Sequence, residues 1–192
     1  MLNKVWNNQF KGVLPCIICV IKIVIEKCCV RCNGFLFRIG IKECGKCIHI
    51  GKGVFWRYPS NIICENDIVI GNGTHLSTEL SKGSLLIRNG VSIGKKCIID
   101  FTGGIEICED AHIAHDCLIS THDHGYDYKS TPIGKSLKIG KNVFIGNRVV
   151  VLHNVSYIGE NAVIGTSSIV TKNVPDNAIV AGNPAKIIKY RN

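Results

Sequence analysis

Residues 133–170 decide the fold, and they read IGKSLKIGKNVFIGNRVVVLHNVSYIGENAVIGTSSIV. An aliphatic residue recurs at almost every sixth position, and a glycine follows it in most repeats. The aliphatic positions are Ile133, Ile139, Ile145, Val151, Ile158, Ile164 and Val170. A strand alternates about every two residues and an α-helix about every 3.6, so this period matches neither element alone. It indicates an internal repeat that supplies one short strand and one corner at a time.

The repeat predicts an all-β fold in which three-sided coils stack into a parallel β-helix. One aliphatic side chain per repeat would point inward, and stacked coils would lie one strand spacing apart, about 4.8 Å. The glycine would relieve the corner, where a side chain would crowd the backbone. A small or branched residue usually stands four places after the aliphatic one, and Cys97 and Cys117 occupy that position as compact hydrophobes.

The same period occurs upstream. It runs through Ile87, Ile93, Ile99 and Ile105, and then through Ile107, Ile113 and Ile119 after a slip of two residues. We expect the β-helix to cover residues 34–174 and a C-terminal tail to cover residues 175–192. The period fails after Ile119, where a polar loop over residues 120–135 interrupts the coil.

Residues 1–33 lack the repeat and predict an N-terminal helix that caps the open end of the column. Pro15 suits the first turn of a helix, after which aliphatic residues fall on one face. Charged residues interrupt the apolar run, so it is too polar for a membrane span. One alternative stays open: residues 13–30 are basic as well as apolar, which suits peripheral contact with the inner face of a membrane.

The composition limits the partners of the chain. Its 192 residues predict one domain, and the formal net charge is +9. Basic residues are scattered and only 7% of residues are aromatic, which argues against a nucleic-acid platform. A small polyanion, such as a nucleotide cofactor or an acidic glycan, fits the charge equally well. No cleavable signal peptide is visible, so we expect a cytoplasmic protein with reduced cysteines.

The eleven cysteines include three CxxC pairs. These are Cys16 with Cys19, Cys29 with Cys32, and Cys44 with Cys47. A structural zinc site needs four well-placed ligands, and this spacing alone does not supply them, so we expect no metal.

The loop begins STHDHGYDYKSTP, from Ser120 to Pro132. Histidine has an unperturbed pKa of about 6.5 and can remove a proton near neutrality, so His122 and His124 indicate acid–base chemistry. Polar loops that leave a rigid scaffold commonly carry function. A second polar corner, DFTGG at residues 100–104, is either a plain turn or a substrate-facing element.

These motifs together resemble the hexapeptide acyltransferases, which are left-handed parallel β-helix enzymes. The resemblance covers about residues 85–190 and is nearest to the sugar O-acetyltransferases that act on galactosides, maltose, nodulation factors, capsule or O-antigen. It rests on IDFTGGIEI before the loop, on STHDHGYD in the loop, and on VIGTSSIVTKNVP and AGNPAKIIK after it.

The resemblance implies a function and a set of site residues. The enzyme would transfer an acetyl group from acetyl-CoA to a hydroxyl of a sugar or surface polysaccharide precursor, with His124 as general base and direct attack. The implied substrate-binding residues are Asp100, His122, Asp123 and Tyr126. The implied cofactor-binding residues are Gly146, Asn147, Gly165, Thr166, Thr171, Lys172, Lys186 and Lys189. A backbone N–H of Gly146 or of its neighbour on the adjacent chain would bind the oxyanion, and the sites would lie between the subunits of a homotrimer.

Three other readings stay open. A γ-class carbonic anhydrase shares the coil and binds zinc through three histidines, and the chain offers His112, His115, His122, His124 and His153. An N-acetyltransferase acting on an amino sugar would use the same base. A non-catalytic β-helix scaffold would bind no acetyl-CoA.

Overall fold

A computed structural model describes residues 13–127 and 129–191. Helix α1 spans Val13–Gly40, and a single turn of 3-10 helix spans Pro59–Asn61. The strands are β1 (Glu43–Cys44), β2 (His49–Ile50), β3 (Phe55–Trp56), β4 (Ile62–Cys64), β5 (Val69–Ile70), β6 (His75–Ser77), β7 (Leu85–Ile87), β8 (Ser92–Ile93), β9 (Ile98–Asp100), β10 (Ile105–Ile107), β11 (His112–Ile113), β12 (Leu118–Ile119), β13 (His122–Asp123), β14 (Ile133–Gly134), β15 (Leu137–Ile139), β16 (Phe144–Ile145), β17 (Val150–Val151), β18 (Tyr157–Ile158), β19 (Val163–Ile164), β20 (Ile169–Val170), β21 (Ala178–Gly182) and β22 (Ala185–Tyr190).

Three parallel sheets form the faces of a triangular prism, which we call sheets A, B and C. Sheet A contains β1, β4, β7, β10, β15 and β18, and sheet C contains β3, β6, β9, β12, β17 and β20. Sheet B contains β2, β5, β8, β11, β16, β19 and β21, and β22 returns antiparallel on β21. The chain visits A, B and C in rotation, so the described residues complete six turns and begin a seventh. The predicted parallel β-helix is confirmed.

The aliphatic repeat builds one continuous column. Ile93, Ile113 and Ile145 pair in register on successive turns, and all three are buried. The slip of two residues has a structural cause: β10 in sheet A carries two inward residues, Ile105 and Ile107. The turn from Ile93 to Ile113 therefore takes 20 residues instead of three repeats of six. The predicted small-residue positions, including Cys97 and Cys117, are buried in the same column.

Ile133 does not belong to this column, and that part of the prediction is wrong. Its side chain is 74% exposed, because β14 pairs antiparallel with β13 outside the prism and opposes Ile133 to Asp123. The coil resumes at β15, where Leu137 pairs with Ile105 of the previous turn. The protruding loop thus runs to residue 136.

Corner glycines are required because successive turns approach each other closely. A Cβ atom on Gly140 would lie 2.7 Å from the backbone nitrogen of Glu160, and one on Gly159 would lie 2.3 Å from that of Asp176. Real Cβ atoms essentially never come this close, so no other residue fits these corners without displacing the next turn. The predicted relief of crowding by glycine is confirmed at these positions.

Helix α1 covers one end of the column with its last two turns. Phe37 is fully buried and packs edge-to-face on Trp56, with ring centroids 5.2 Å apart. Asn33 donates to the carbonyl of Gly51 at 3.0 Å, and Arg38 donates to that of Ile48 at 3.1 Å. The first turn of the coil is therefore sealed by both packing and hydrogen bonds.

The boundaries of the coil differ from the predicted residues 34 and 174. The helix continues to Gly40, and the coil begins with β1 at Glu43. At the other end, a shortened turn pairs Ile164 with Val180, so β21 still belongs to the coil. The side chains of Pro15, Cys16 and Cys19 lie outside the described part of the chain. Among the described residues, no helix combines the length and apolarity that crossing a membrane requires.

Candidate active site

The polar segments singled out in the sequence meet at one edge of the prism, where sheet C passes into sheet A. Residues 101–104 follow β9 at this edge, and the loop of residues 120–136 follows β12. Residues 78–84, 152–154 and 171–173 form the same corner on the other turns. Stacking of successive turns therefore brings residues that are far apart in sequence into one site.

Asp100 ends β9 with a buried carboxylate. Its Oδ1 accepts a hydrogen bond from the backbone N–H of Thr102 at 3.2 Å and another from the Thr102 hydroxyl. Its Oδ2 accepts from the backbone N–H of Thr121 at 2.8 Å. Both carboxylate oxygens are thus held by backbone donors, and the DFTGG corner fixes the direction of this acid.

His122 contacts the same carboxylate. Its Nδ1 lies 2.7 Å from Asp100 Oδ2, and its side chain is mostly buried. An ionised carboxylate only accepts hydrogen bonds, so this contact places the proton on Nδ1 and leaves the lone pair on Nε2. A histidine whose tautomer and orientation are fixed by a buried carboxylate is a competent general base.

His124 is held by a backbone carbonyl instead. Its Nδ1 lies 2.8 Å from the carbonyl oxygen of Ser130, whose hydroxyl donates back to the His124 carbonyl. A carbonyl oxygen only accepts, so Nδ1 again carries the proton. The rings of His122 and His124 meet edge to face, with centroids 5.2 Å apart.

Glu79 completes the cluster, although sequence reasoning missed it. Its Oε2 lies 3.2 Å from Nε2 of His124, and its Oε1 lies 3.5 Å from Nε2 of His122. Thr102 Oγ1 accepts the backbone N–H of Glu79 at 3.0 Å, which ties this corner to the next. The turn that contains Glu79 is longer than its neighbours, since Leu76 pairs with a residue 23 positions on, Ile99. The extra length of this turn is the sequence feature that marks the corner containing Glu79 as unusual.

The loop is anchored closely to the coil at its base. The buried hydroxyl of Thr121 donates to the carbonyl of Asp100 at 2.8 Å and accepts the N–H of Gly103 at 2.9 Å. A Cβ atom on Gly103 would lie 2.3 Å from the backbone nitrogen of Lys135. Gly103 thus lets the returning chain pack closely against the corner that follows β9.

The other two substrate-binding candidates lie farther out. Asp123 Oδ2 lies 3.5 Å from Nε2 of His153, and both side chains are exposed. Tyr126 is fully exposed at the tip of the loop. The structure therefore brings Asp100 and His122 into direct contact and leaves Asp123 and Tyr126 at the rim.

The cofactor-binding candidates divide between two edges. Thr171 and Lys172 follow β20 on the same edge as the loop, and Lys186 and Lys189 are exposed on β22. The remaining candidates, Gly146, Asn147, Gly165 and Thr166, stack on the edge between sheets B and C. One chain therefore does not gather all eight positions into one groove.

Gly146 itself is not a free oxyanion donor. Its N–H donates to the carbonyl of Ile164 at 2.9 Å, as part of the ladder between turns. The Asn147 side chain accepts the backbone N–H of His115 at 3.0 Å. The other expected oxyanion donor, the N–H of the neighbour of Gly146 on the adjacent chain, stays a prediction.

The histidines expected for a carbonic anhydrase are separated along this chain. His112 stacks on Phe144 on sheet B, and His115 accepts the backbone N–H of Lys95 through Nδ1 at 2.9 Å. Both lie away from the loop histidines. Within the described residues, the converging group of metal-type donors is Glu79, His122 and His124, whose donor atoms lie within 4.8 Å of one another.

The described cysteines are free thiols. Cys44 and Cys64 lie side by side in sheet A, and Cys29 and Cys32 are exposed on α1. Burial raises the pKa of Cys64 to about 12. A buried thiol of this kind stays protonated at neutral pH and contributes packing instead of reactivity.

No protein-family model and no curated protein sequence matches the chain. Solved structures do match it. AntD, an N-acyltransferase from Bacillus cereus in complex with dTDP and 3-hydroxybutyryl-CoA, is 23% identical with a TM-score of 0.72, over 83% of this chain and 88% of AntD. A mutant of AntD with dTDP and coenzyme A is 25% identical with a TM-score of 0.70, over 83% of this chain and 89% of its own.

Two further similar structures come from other bacteria. A maltose O-acetyltransferase from Clostridium difficile 630 is 26% identical with a TM-score of 0.59, over 83% of this chain and 74% of its own. A hexapeptide-repeat acetyltransferase from Vibrio cholerae in complex with acetyl-CoA is 21% identical with a TM-score of 0.55, over 82% and 75% of the two chains. The expected resemblance to hexapeptide-repeat acyltransferases is thus confirmed among the structural neighbours, which include complexes with CoA or acyl-CoA.

Proposed function

We propose that this protein transfers an acetyl group from acetyl-CoA to a hydroxyl group of a sugar or of a surface polysaccharide precursor. The observation that carries the proposal is the contact of 2.7 Å between His122 and the buried carboxylate of Asp100, at the base of a loop on a hexapeptide coil. The similarity to a maltose O-acetyltransferase and to CoA-bound acyltransferases supports the reaction class.

The general base in this proposal is His122. The resemblance favours His124, but that histidine is oriented by the carbonyl of Ser130, a neutral acceptor. His122 is oriented by an acid that can stabilise the imidazolium formed when the base takes up a proton. His124 then lies beside the base, where it contacts the acceptor.

The proposed reaction is a direct transfer. Nε2 of His122 removes the proton of the acceptor hydroxyl as its oxygen attacks the thioester carbonyl of acetyl-CoA. The tetrahedral intermediate collapses, the CoA thiolate leaves, and the imidazolium of His122 returns the proton to the thiolate. A positioned base of this kind contributes about 100- to 10,000-fold to the rate. Asp100 stabilises the imidazolium throughout without taking the proton.

The cofactor site in this proposal is shared between protomers of a homotrimer. Thr171 and Lys172 lie on the edge of the loop, whereas Gly146, Gly165 and Thr166 lie on another edge of the same chain. In a three-fold assembly, one edge of a protomer faces a different edge of its neighbour, so both groups would line one groove. The exposed Lys186 and Lys189 suit the CoA phosphates as point charges.

The proposed function is tested by an acceptor screen. The wild-type protein is incubated with isotopically labelled acetyl-CoA and a panel of sugars, sugar nucleotides and oligosaccharides, and products are read by mass spectrometry. We expect a labelled acetyl ester on one acceptor class, and no product from His122→Ala. If acetyl-CoA neither raises the melting temperature nor labels any acceptor, the scaffold reading replaces this one.

A second candidate is N-acylation of an amino sugar. The observation that favours it is the match to AntD, an N-acyltransferase, of which one mutant was solved with dTDP-4-amino-4,6-dideoxyglucose and coenzyme A. An amine would give up its proton to the same base. Amino sugars in the acceptor panel separate the two candidates, because an amide product resists mild alkaline hydrolysis and an ester does not.

Location and membrane contact belong to the same proposal. We propose a cytoplasmic enzyme that rests on the inner face of a membrane through residues 13–30. Val20, Ile21 and Val24 of this segment are about half exposed, and exposed Lys27 adds positive charge beside them. Apolar and basic side chains together favour an anionic lipid surface. Sedimentation with anionic vesicles tests this contact.

A further inference from the structure

Three donor atoms of the kind that bind metals converge in the cluster of Glu79, His122 and His124, all within 4.8 Å of one another. Nδ1 of each histidine faces an oxygen acceptor and donates its N–H there, which leaves Nε2 as the ring atom that can bind a ligand. Both Nε2 atoms face the carboxylate of Glu79. A divalent cation bound between the three groups would accept an electron pair from each of them.

The distances within the cluster are compatible with a shared metal ion. Glu79 Oε2 lies 3.2 Å from Nε2 of His124, and the other carboxylate oxygen, Oε1, lies 3.5 Å from Nε2 of His122. An N–H···O bond spans about 2.7–3.2 Å, so the contact with His122 is longer than a hydrogen bond. Two donors on a tetrahedral zinc ion, with bonds of about 2.0–2.1 Å, lie about 3.3 Å apart.

The surroundings of the histidines also suit a metal. A metal-binding histidine usually donates its other ring N–H to a carboxylate or a backbone carbonyl, which fixes the ring and raises its basicity. Asp100 and the carbonyl of Ser130 fill these roles for His122 and His124. The Glu79 side chain is half exposed, so an ion has a path from solvent.

We propose that Glu79, His122 and His124 form a binding site for a zinc-class divalent transition metal. Nε2 of each histidine and a carboxylate oxygen of Glu79 are the three protein ligands, and a fourth position stays open to water. The set of two histidines and one glutamate is one that zinc accepts in proteins. This site belongs to one chain and does not depend on the acetyl-transfer proposal.

If the proposed function is correct, a metal ion at this site competes with catalysis. Zinc on Nε2 of His122 would occupy the lone pair that the base uses, so metal binding and acetyl transfer would exclude each other. Zinc would then inhibit the enzyme, and a chelator would restore activity.

The test is cobalt and zinc binding to the full chain after removal of metals. Co²⁺ is titrated while its visible d–d absorption is recorded, and Zn²⁺ is then added as a competitor and measured by calorimetry. We expect one ion per chain with the absorption of a tetrahedral nitrogen and oxygen site. Glu79→Gln and His124→Ala should each weaken zinc binding by about 100-fold or more, since even loss of an orienting partner costs about 10- to 100-fold.

The matched control is His153→Ala. His153 and Asp123 are also separated by 3.5 Å, but no third metal-type donor joins them among the residues that the structure describes, so this variant should bind zinc like the wild type. Circular dichroism checks that each variant is folded. Absence of binding in excess metal overturns the proposal. So does binding that survives Glu79→Gln and His124→Ala, or that shows the thiolate charge-transfer band of a cysteine site. Zinc binding without acetyl transfer would support the metal site and refute only the proposed function.

Discussion

Replacing Asp100 by asparagine separates the two roles of its carboxylate, since the side chain keeps its shape and loses one acceptor. Both oxygens accept a backbone N–H, from Thr102 on Oδ1 and from Thr121 on Oδ2. An amide has one oxygen, so in either orientation one buried N–H faces an NH₂ group. An unsatisfied buried donor costs about 1–3 kcal/mol. For a chain of this length, that lowers the melting temperature by about 2–4 °C per kcal/mol, or about 2–12 °C in total.

The same substitution should lower turnover. With the amide oxygen toward His122, a charge-assisted hydrogen bond becomes a neutral one, which is weaker by about 1–1.5 kcal/mol and reduces kcat about tenfold. With the NH₂ toward His122, the ring would hold the wrong tautomer, and the loss would approach the full contribution of a base, about 100- to 10,000-fold. We therefore expect kcat to fall at least about tenfold.

The assays are thermal unfolding and release of the CoA thiol under saturating acetyl-CoA. Asp123→Asn is the matched control, because its partner His153 is 3.5 Å away and both are exposed. Exposed pairs contribute about 0–1 kcal/mol, so this variant should keep the wild-type melting temperature. An Asp100→Asn protein with unchanged stability and unchanged kcat would refute the reasoning.

Three further predictions concern the coil, the cofactor and the thiols. Gly159→Ala should lower the free energy of unfolding by about 3 kcal/mol, because its Cβ would overlap the backbone of the next turn. Gly34→Ala inside α1 has room for the Cβ and should raise the free energy of unfolding by about 0.5–1 kcal/mol. Equal denaturation midpoints for the two variants would contradict this prediction. Lys186→Ala combined with Lys189→Ala should raise KM for acetyl-CoA and leave KM for a desphospho analogue unchanged, as initial rates will show. Burial raises the pKa of Cys64 to about 12, so its thiolate fraction at pH 8 should be about 10⁻⁴ and iodoacetamide should not modify it until the protein unfolds. Rapid alkylation of Cys64 in the native protein, followed by mass spectrometry over time, would show that this thiol is not buried.

The fold could be predicted because each residue type in the repeat has a single physical role. An aliphatic residue such as Ile145 points into the column, and the glycine after it allows the next turn to approach. Periodicity alone could not identify Ile133 as an exception. That residue fits the period of six, but the pairing of β13 with β14, a contact outside the coil, decides its position.

The candidate site was predictable only in part. The sequence indicated Asp100 and His122 as polar residues at corners, but their contact depends on which corners share an edge of the prism. Glu79 could not be predicted for the same reason, because nothing near it in sequence indicates a histidine partner 45 positions away. Gly146 lies where the resemblance expects it, yet its N–H is used by the ladder between turns.

The most direct test of the central claim compares single-turnover acetyl transfer by His122→Ala and His124→Ala at saturating acetyl-CoA, with acetyl-CoA affinity measured separately by calorimetry. We expect His122→Ala to bind acetyl-CoA like the wild type and to lose about 100- to 10,000-fold in rate, while His124→Ala loses less. A fully active His122→Ala protein, or a loss confined to His124→Ala, would contradict this claim.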